Sequence, residues 1–240
     1  MLSSVPFHAF SPSHQWVLAL TVLSIILLAI LRRWSPKMAV LGEKILGSLL
    51  LTTWPASMAG HLLAGDFTMD NALPCHFCDI AAISGGIALW TQNRTASEIL
   101  YFFGLAGTLQ GLITPNLKAD FPDMRFLAFF MTHAGVVIAA IHVTTAMGCP
   151  PRRGCLPRMV ALTLSYAALA GLVNKVCSTN YGFLCHKPEA ASLMDHLGAW
   201  PWYIASMVGL CVVFYSILYF PFFLLRKWQE RKVMVSSPGV

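Results

Sequence analysis

Two thiols, an imidazole and a carboxylate stand within five residues of one another: Cys75, His76, Cys78 and Asp79, in the run LPCHFCDIAAISGG at residues 73–86. A hydrophobic stretch follows at once, so these groups lie where an apolar helix begins. A start near Pro74, a favourable first-turn residue, puts Cys75, Cys78 and Asp79 on one face through i, i+3 and i+4 spacing. That face continues through Ala82 and Gly86 toward neighbouring helices, while His76 and Phe77 point elsewhere. A thiol at a helix start meets unpaired N–H groups that stabilise the anion a nucleophile needs; an ionised Asp79 works against it. A single buried cysteine is ordinarily a small hydrophobe, but Cys-x-x-Cys followed by Asp at the end of a span points to chemistry.

A base for such a thiol is sought among the histidines. His133 lies about seven residues into a later hydrophobic segment, roughly 10 Å deep at helical rise, where a polar group faces a cavity or a partner. His142, nine residues on, is turned by about 900° to the opposite side. His133 is therefore the candidate partner of Cys78, against the equal alternative of a histidine bonded to a neighbouring helix. His61, Gln110, Asn116, Asn174, Asn180 and Tyr181 reach the same region. They are candidates to donate hydrogen bonds to an oxyanion or a lipid head group, or to satisfy loop backbone.

The elements that must hold these residues are membrane helices. Of 240 residues 57% are hydrophobic and 11% charged, with a mean hydropathy of +0.66, which excludes an ordinary water-soluble domain. A span needs about 20 apolar residues, so the expectation is an all-α, polytopic transmembrane bundle forming one integral membrane domain over residues 1–240. Seven segments can be drawn: 16–31, 38–63, 76–90, 97–113, 126–147, 156–176 and 202–225. Span two carries Pro55, which invites a kink, and spans three and four carry small residues (Ala82, Gly85, Gly86; GLAGTLQG at 104–111) that allow close packing. That pattern serves packing within the chain or dimerisation equally.

Basic residues follow alternate segments: Arg32, Arg33 and Lys37; Arg94; Arg152, Arg153 and Arg158; Arg226, Lys227, Arg231 and Lys232. Only Lys118, Arg125 and Lys187 occupy the opposite loops. The positive-inside rule then predicts an external N-terminus and a cytoplasmic C-terminus. The same rule accounts for the net charge of +6, so nucleic acid is not an expected partner. The first fifteen residues lack Lys and Arg, so the first span is expected to remain in the mature protein. The external loops hold the acids Asp66, Asp70, Asp120, Asp123, Glu189 and Asp195 and most turn-forming stretches. Trp200, Trp202 and Tyr203 fit an aromatic belt there.

The order LPCHFCD, ILYFFGLAGTLQGLITPNL, FPD, FMTH and TNYGFLCHKPEAASLMDHLGAWPWY, from about Leu73 to Tyr203, resembles the YwaF-like family of bacterial integral membrane proteins. That family is similar to a vertebrate multispanning acyltransferase that remodels ether phospholipids through a cysteine and a histidine. The resemblance implies a multi-pass protein of the bacterial plasma membrane with a membrane lipid as substrate. It makes Cys78 and His133 candidates for nucleophile and base, with Cys75 an alternative match for the cysteine. The first cysteine departs from the apolar residue expected at that place in the bacterial pattern.

Three functions follow. In acyl transfer, Cys78 attacks an ester carbonyl, His133 moves the proton, and Asp79 or His76 orients it. In thiol–disulfide exchange, Cys75 and Cys78 form a redox pair, with Cys177 and Cys185 on the same side. In a non-catalytic carrier or lipid-binding protein, His61, His76, Cys75, Cys78 and Asp79 hold an ion or soft metal. Acyl transfer is the expected activity, and it calls for no cofactor and no metal.

Overall fold

A computed structural model describes residues 5–236. The helices are α1 (Pro12–Trp34), α2 (Pro36–Ala64), α3 (Phe77–Thr91), α4 (Arg94–Phe103), α5 (Leu109–Ile113), α6 (Met124–Thr145), α7 (Cys155–Cys177) and α8 (Trp202–Ser236). A π-turn over Gly104–Thr108 joins α4 to α5 in one rod. Among the described residues the only β pairing is an isolated bridge between Pro6 and Ala119.

Each predicted hydrophobic segment lies on one of these rods. Local chemistry sets their ends. Pro12 and Pro36 open α1 and α2, where a missing N–H costs nothing. Asn93 and Asp123 cap α4 and α6 by accepting the N–H groups of Thr95 and Ala96, and of Arg125. Pro55 does not interrupt α2. Five helices are long and apolar enough to cross a membrane: Pro12–Trp34, Arg94–Ile113, Met124–Thr145, Cys155–Cys177 and Trp202–Lys232. The remaining two rods differ: α2 carries Glu43 and Lys44, and α3 has 15 residues.

One expectation is corrected here. Helix α3 begins at Phe77, not near Pro74, because the Asp79 carboxylate accepts the His76 N–H at 3.0 Å and makes His76 the cap. Cys75 is left in the preceding connection, so Cys75, Cys78 and Asp79 do not share a helical face.

The centre of the molecule is α2, α3, the α4–α5 rod and α6, which pack on one another. Ala81, Ala82, Ala88, Ala139 and Ala140 are fully buried there, and their small side chains let the helix axes approach. Helix α1 lies on α2 and α6, while α7 and α8 pair and join the rod through Phe102, Phe103 and Tyr215. Leucines and isoleucines along α1, and Val213, Ile217, Phe220 and Leu224 on α8, face outward, an apolar surface suited to lipid rather than water.

Two buried carboxylates hold the end of the bundle rich in arginine. Glu98 accepts from the backbone and guanidinium of Arg152 and from Arg158, and Glu43 accepts from His142 at 2.9 Å and Arg32 at 3.2 Å. Pairing of this kind is what permits a carboxylate within an apolar bundle. It also gives His142 a structural role at the end of α6 away from His133.

Candidate functional site

The segment 73–79 is held in place by side chains from far along the chain. The Tyr181 hydroxyl accepts the Leu73 N–H at 3.0 Å and donates to the Met69 carbonyl. Asp70 accepts the Asn180 N–H at 2.6 Å, and Tyr166 of α7 donates its hydroxyl to the Cys75 carbonyl at 3.1 Å. His76 donates from Nε2 to the Asp70 carbonyl at 3.1 Å and stands edge-on to Tyr181, ring centroids 5.0 Å apart. Gly182 completes this strap. Its φ of +67° favours glycine, and a Cβ there would lie 2.7 Å from the Tyr166 hydroxyl.

The candidate nucleophile and base lie beyond the strap. Cys78 is the second residue of α3. Four and seven residues on, Ala82 and Gly85 share its stripe, with Gly85 lying between Leu50 of α2 and Leu100 of α4. Phe77, beside Cys78, stacks on Phe103 at 4.1 Å and lies over Gly107. His133 of α6 is buried, stacks on Phe129 at 3.9 Å and lies over Gly111. A Cβ at either glycine would sit 2.6 Å from the ring it faces. Gly107 and Gly111 are about 6 Å apart along the rod, so the rod seats the start of α3 and the His133 ring on adjacent turns.

His133 is oriented by its own helix. Its Nδ1 lies 2.7 Å from the Phe129 carbonyl, and because a carbonyl only accepts, Nδ1 carries the proton. Nε2 is left as the basic nitrogen, with no hydrogen-bond partner among the described residues. The expectation that Asp79 or His76 orients His133 is thus replaced: Asp79 caps α3, and His76 is bonded to the Asp70 carbonyl.

Cys75 lies in the connection before α3, outside the helix that carries Cys78. Burial, and then the negative charges of Asp79 and Cys177, push its thiol above the ordinary value, so it keeps its proton at neutral pH. All seven cysteines are free thiols. Among the described residues no three His, Cys, Asp or Glu side chains form a group that would hold a metal. His61 bonds Asp66 at 2.8 Å, so it is not gathered with Cys75, His76, Cys78 and Asp79 among the described residues.

The remaining candidates divide. Asn174 spends its amide on Tyr181 and Thr179, and Asn180 spends its amide on His186 and Cys185. Tyr181 uses its hydroxyl as described, and burial pushes that phenol above its ordinary value. These three build the strap, and the hydrogen bonds described go to its own residues and to residues 69–73. Gln110 is half-buried on α5, with one long bond of 3.5 Å to the Ala106 carbonyl, and Asn116 is exposed after α5. The sequence reading did not single out Tyr166. The available signal was a tyrosine within an apolar helix, where its hydroxyl requires a partner.

At the same end of the bundle, Arg125 joins α6 to the end of α2. It bonds Asp66 at 2.6 Å and Asp123 through Nε at 3.0 Å and a terminal nitrogen at 2.8 Å. Burial raises Asp66, but hydrogen bonds from His61 and Arg125 outweigh it and leave the carboxyl below its ordinary value. Hydrogen bonding from Arg125 likewise holds Asp123 low, against some burial.

No curated protein and no solved structure matches the chain. The helices that carry Cys78, His133 and the strap fall within residues 9–219, the stretch over which the sequence matches the model of the multispanning TMEM164 family, and the chain belongs to that family.

Proposed function

We propose that the protein is a membrane acyltransferase that moves a fatty acyl chain from a membrane lipid through a thioester on Cys78. The observation that carries this reading is the state of His133: Nδ1 is committed to the Phe129 carbonyl, and Nε2, without a hydrogen-bond partner among the described residues, lies over Gly111 of the rod that also seats the start of α3. The Cys78 thiol gives its proton to Nε2, and the sulfur attacks the ester carbonyl. Collapse of the tetrahedral adduct breaks the C–O bond, and the departing alcohol takes the proton from His133. An acceptor hydroxyl then attacks the thioester and regenerates the thiol. Gln110 and Asn116 are the polar groups available to a head group.

The same reading includes seven crossings, with α2 and α3 spanning beside the five longer helices, an external N-terminus and a cytoplasmic C-terminus. It includes a site at the outer face of a bacterial plasma membrane and kinship with the YwaF-like proteins and their acyltransferase relative.

The test is peptide mass spectrometry of the segment containing Cys75 and Cys78, alkylated before and after hydroxylamine. An acyl group on Cys78 released by hydroxylamine is the expected result. Undiminished lipid turnover by Cys78→Ala protein would overturn the proposal.

A further inference from the structure

Six threonines on helices are buried: Thr21, Thr53, Thr108, Thr132, Thr144 and Thr163. Five of them donate their hydroxyls to carbonyls three or four residues back, the usual fate of a threonine within a helix. Thr108 does not. Its Oγ1 is enclosed and has no partner, although the residue is only 2% exposed.

This hydroxyl sits on the π-turn of the rod. Thr108 ends the π-turn, in which the Gly104 carbonyl is taken by the N–H of Leu109, five residues on. Gly104 rests on Val136 of α6, Gly107 on the Phe77 ring of α3, and Gly111 on the His133 ring. Thr108 follows Gly107 and stands one turn from both Gly104 and Gly111, on the turn of the rod that packs against α3, α6 and α8. π-Turns recur at functional sites, and an enclosed hydroxyl without a partner calls for one.

We infer that the Thr108 hydroxyl is the hydrogen-bond donor to the reacting carbonyl oxygen of an acyl ester, a role that rests on the thioester reading. When the Cys78 sulfur bonds to the carbonyl carbon, the C=O π electrons move to oxygen. The Thr108 O–H donates to that oxygen without transferring its proton. When the C–O bond breaks and the alcohol leaves with the proton held by His133, the carbonyl re-forms. A donor held ready in a dry site stabilises the charged adduct more than the ester, and so acts on the rate more than on binding.

The experiment uses the full-length protein in phosphatidylcholine vesicles that carry a labelled acyl chain. It measures the rate of hydroxylamine-releasable label on Cys78, its dependence on lipid fraction, and Tm. Thr108→Val is expected to slow labelling by about a hundredfold with KM within about twofold, and Thr108→Ser to restore most of the rate. Thr108→Ala serves as a second hydroxyl deletion if the valine protein does not accumulate. Labelling at the wild-type rate without the hydroxyl overturns the inference, as does a serine variant as slow as the valine one, which would make the role one of packing. Wild-type protein that takes no label brings down the thioester reading itself, and the inference with it.

Discussion

At the scale of single residues, the two cysteines of one short motif part company. Cys78 is the second residue of α3, whereas Cys75 sits in the connection before it, its carbonyl tied to the Tyr166 hydroxyl. Cys78→Ser is therefore expected to lower lipid acyl turnover by at least about a thousandfold, and Cys75→Ser to leave it within about threefold, as measured by lysolipid release. A large loss in Cys75→Ser would point to the paired-thiol alternative. Residue type and depth along a hydrophobic run were what singled out Cys78 and His133 in the sequence as candidates. Tyr166 was not legible, because its task is one bond to a backbone carbonyl, and no spacing rule announces that. Asn174, Asn180 and Tyr181 were conspicuous for a different reason: loops that fold back need amides and phenols to satisfy their backbone.

At the scale of elements, the site depends on where α3 starts and on a bare strip of the rod. Asp79→Asn keeps an acceptor for the His76 N–H and is expected to retain activity. Asp79→Ala is expected to lose about 1 kcal/mol of stability with the cap, read as a lower Tm. Gly111→Ala puts a methyl 2.6 Å from the His133 ring. The ring must shift, and a displacement of that order is expected to cost about a hundredfold in turnover while Cys78 remains open to alkylation. Hydropathy announced the rods, because lipid demands long apolar runs. It did not announce the π-turn, which inserts no special residue, nor the true start of α3, which is set by a single carboxylate three residues in.

At the scale of the molecule, the ends of α2 and α6 are joined by Asp66, Asp123 and Arg125. Both carboxylates are held below their ordinary values in the folded protein. Their stabilisation is therefore complete above the ordinary carboxylate value and is lost as pH falls below about 4 through the lower folded values. The Asp66→Asn, Asp123→Asn double variant is expected to melt lower than wild type at pH 7, with the gap closing toward pH 3; an unchanged gap would remove these groups as the cause. The strap has a further consequence for how the protein is made. Leu73 and Met69 wait for a hydroxyl 108 and 112 residues away. A ribosome that has delivered α3 and α6 to the membrane has thus supplied Cys78 and His133, but the segment before Cys78 is still untied. On the thioester reading, a chain is therefore expected to stay inactive toward the bilayer that receives it until residues 178–183 have followed and tied that segment down.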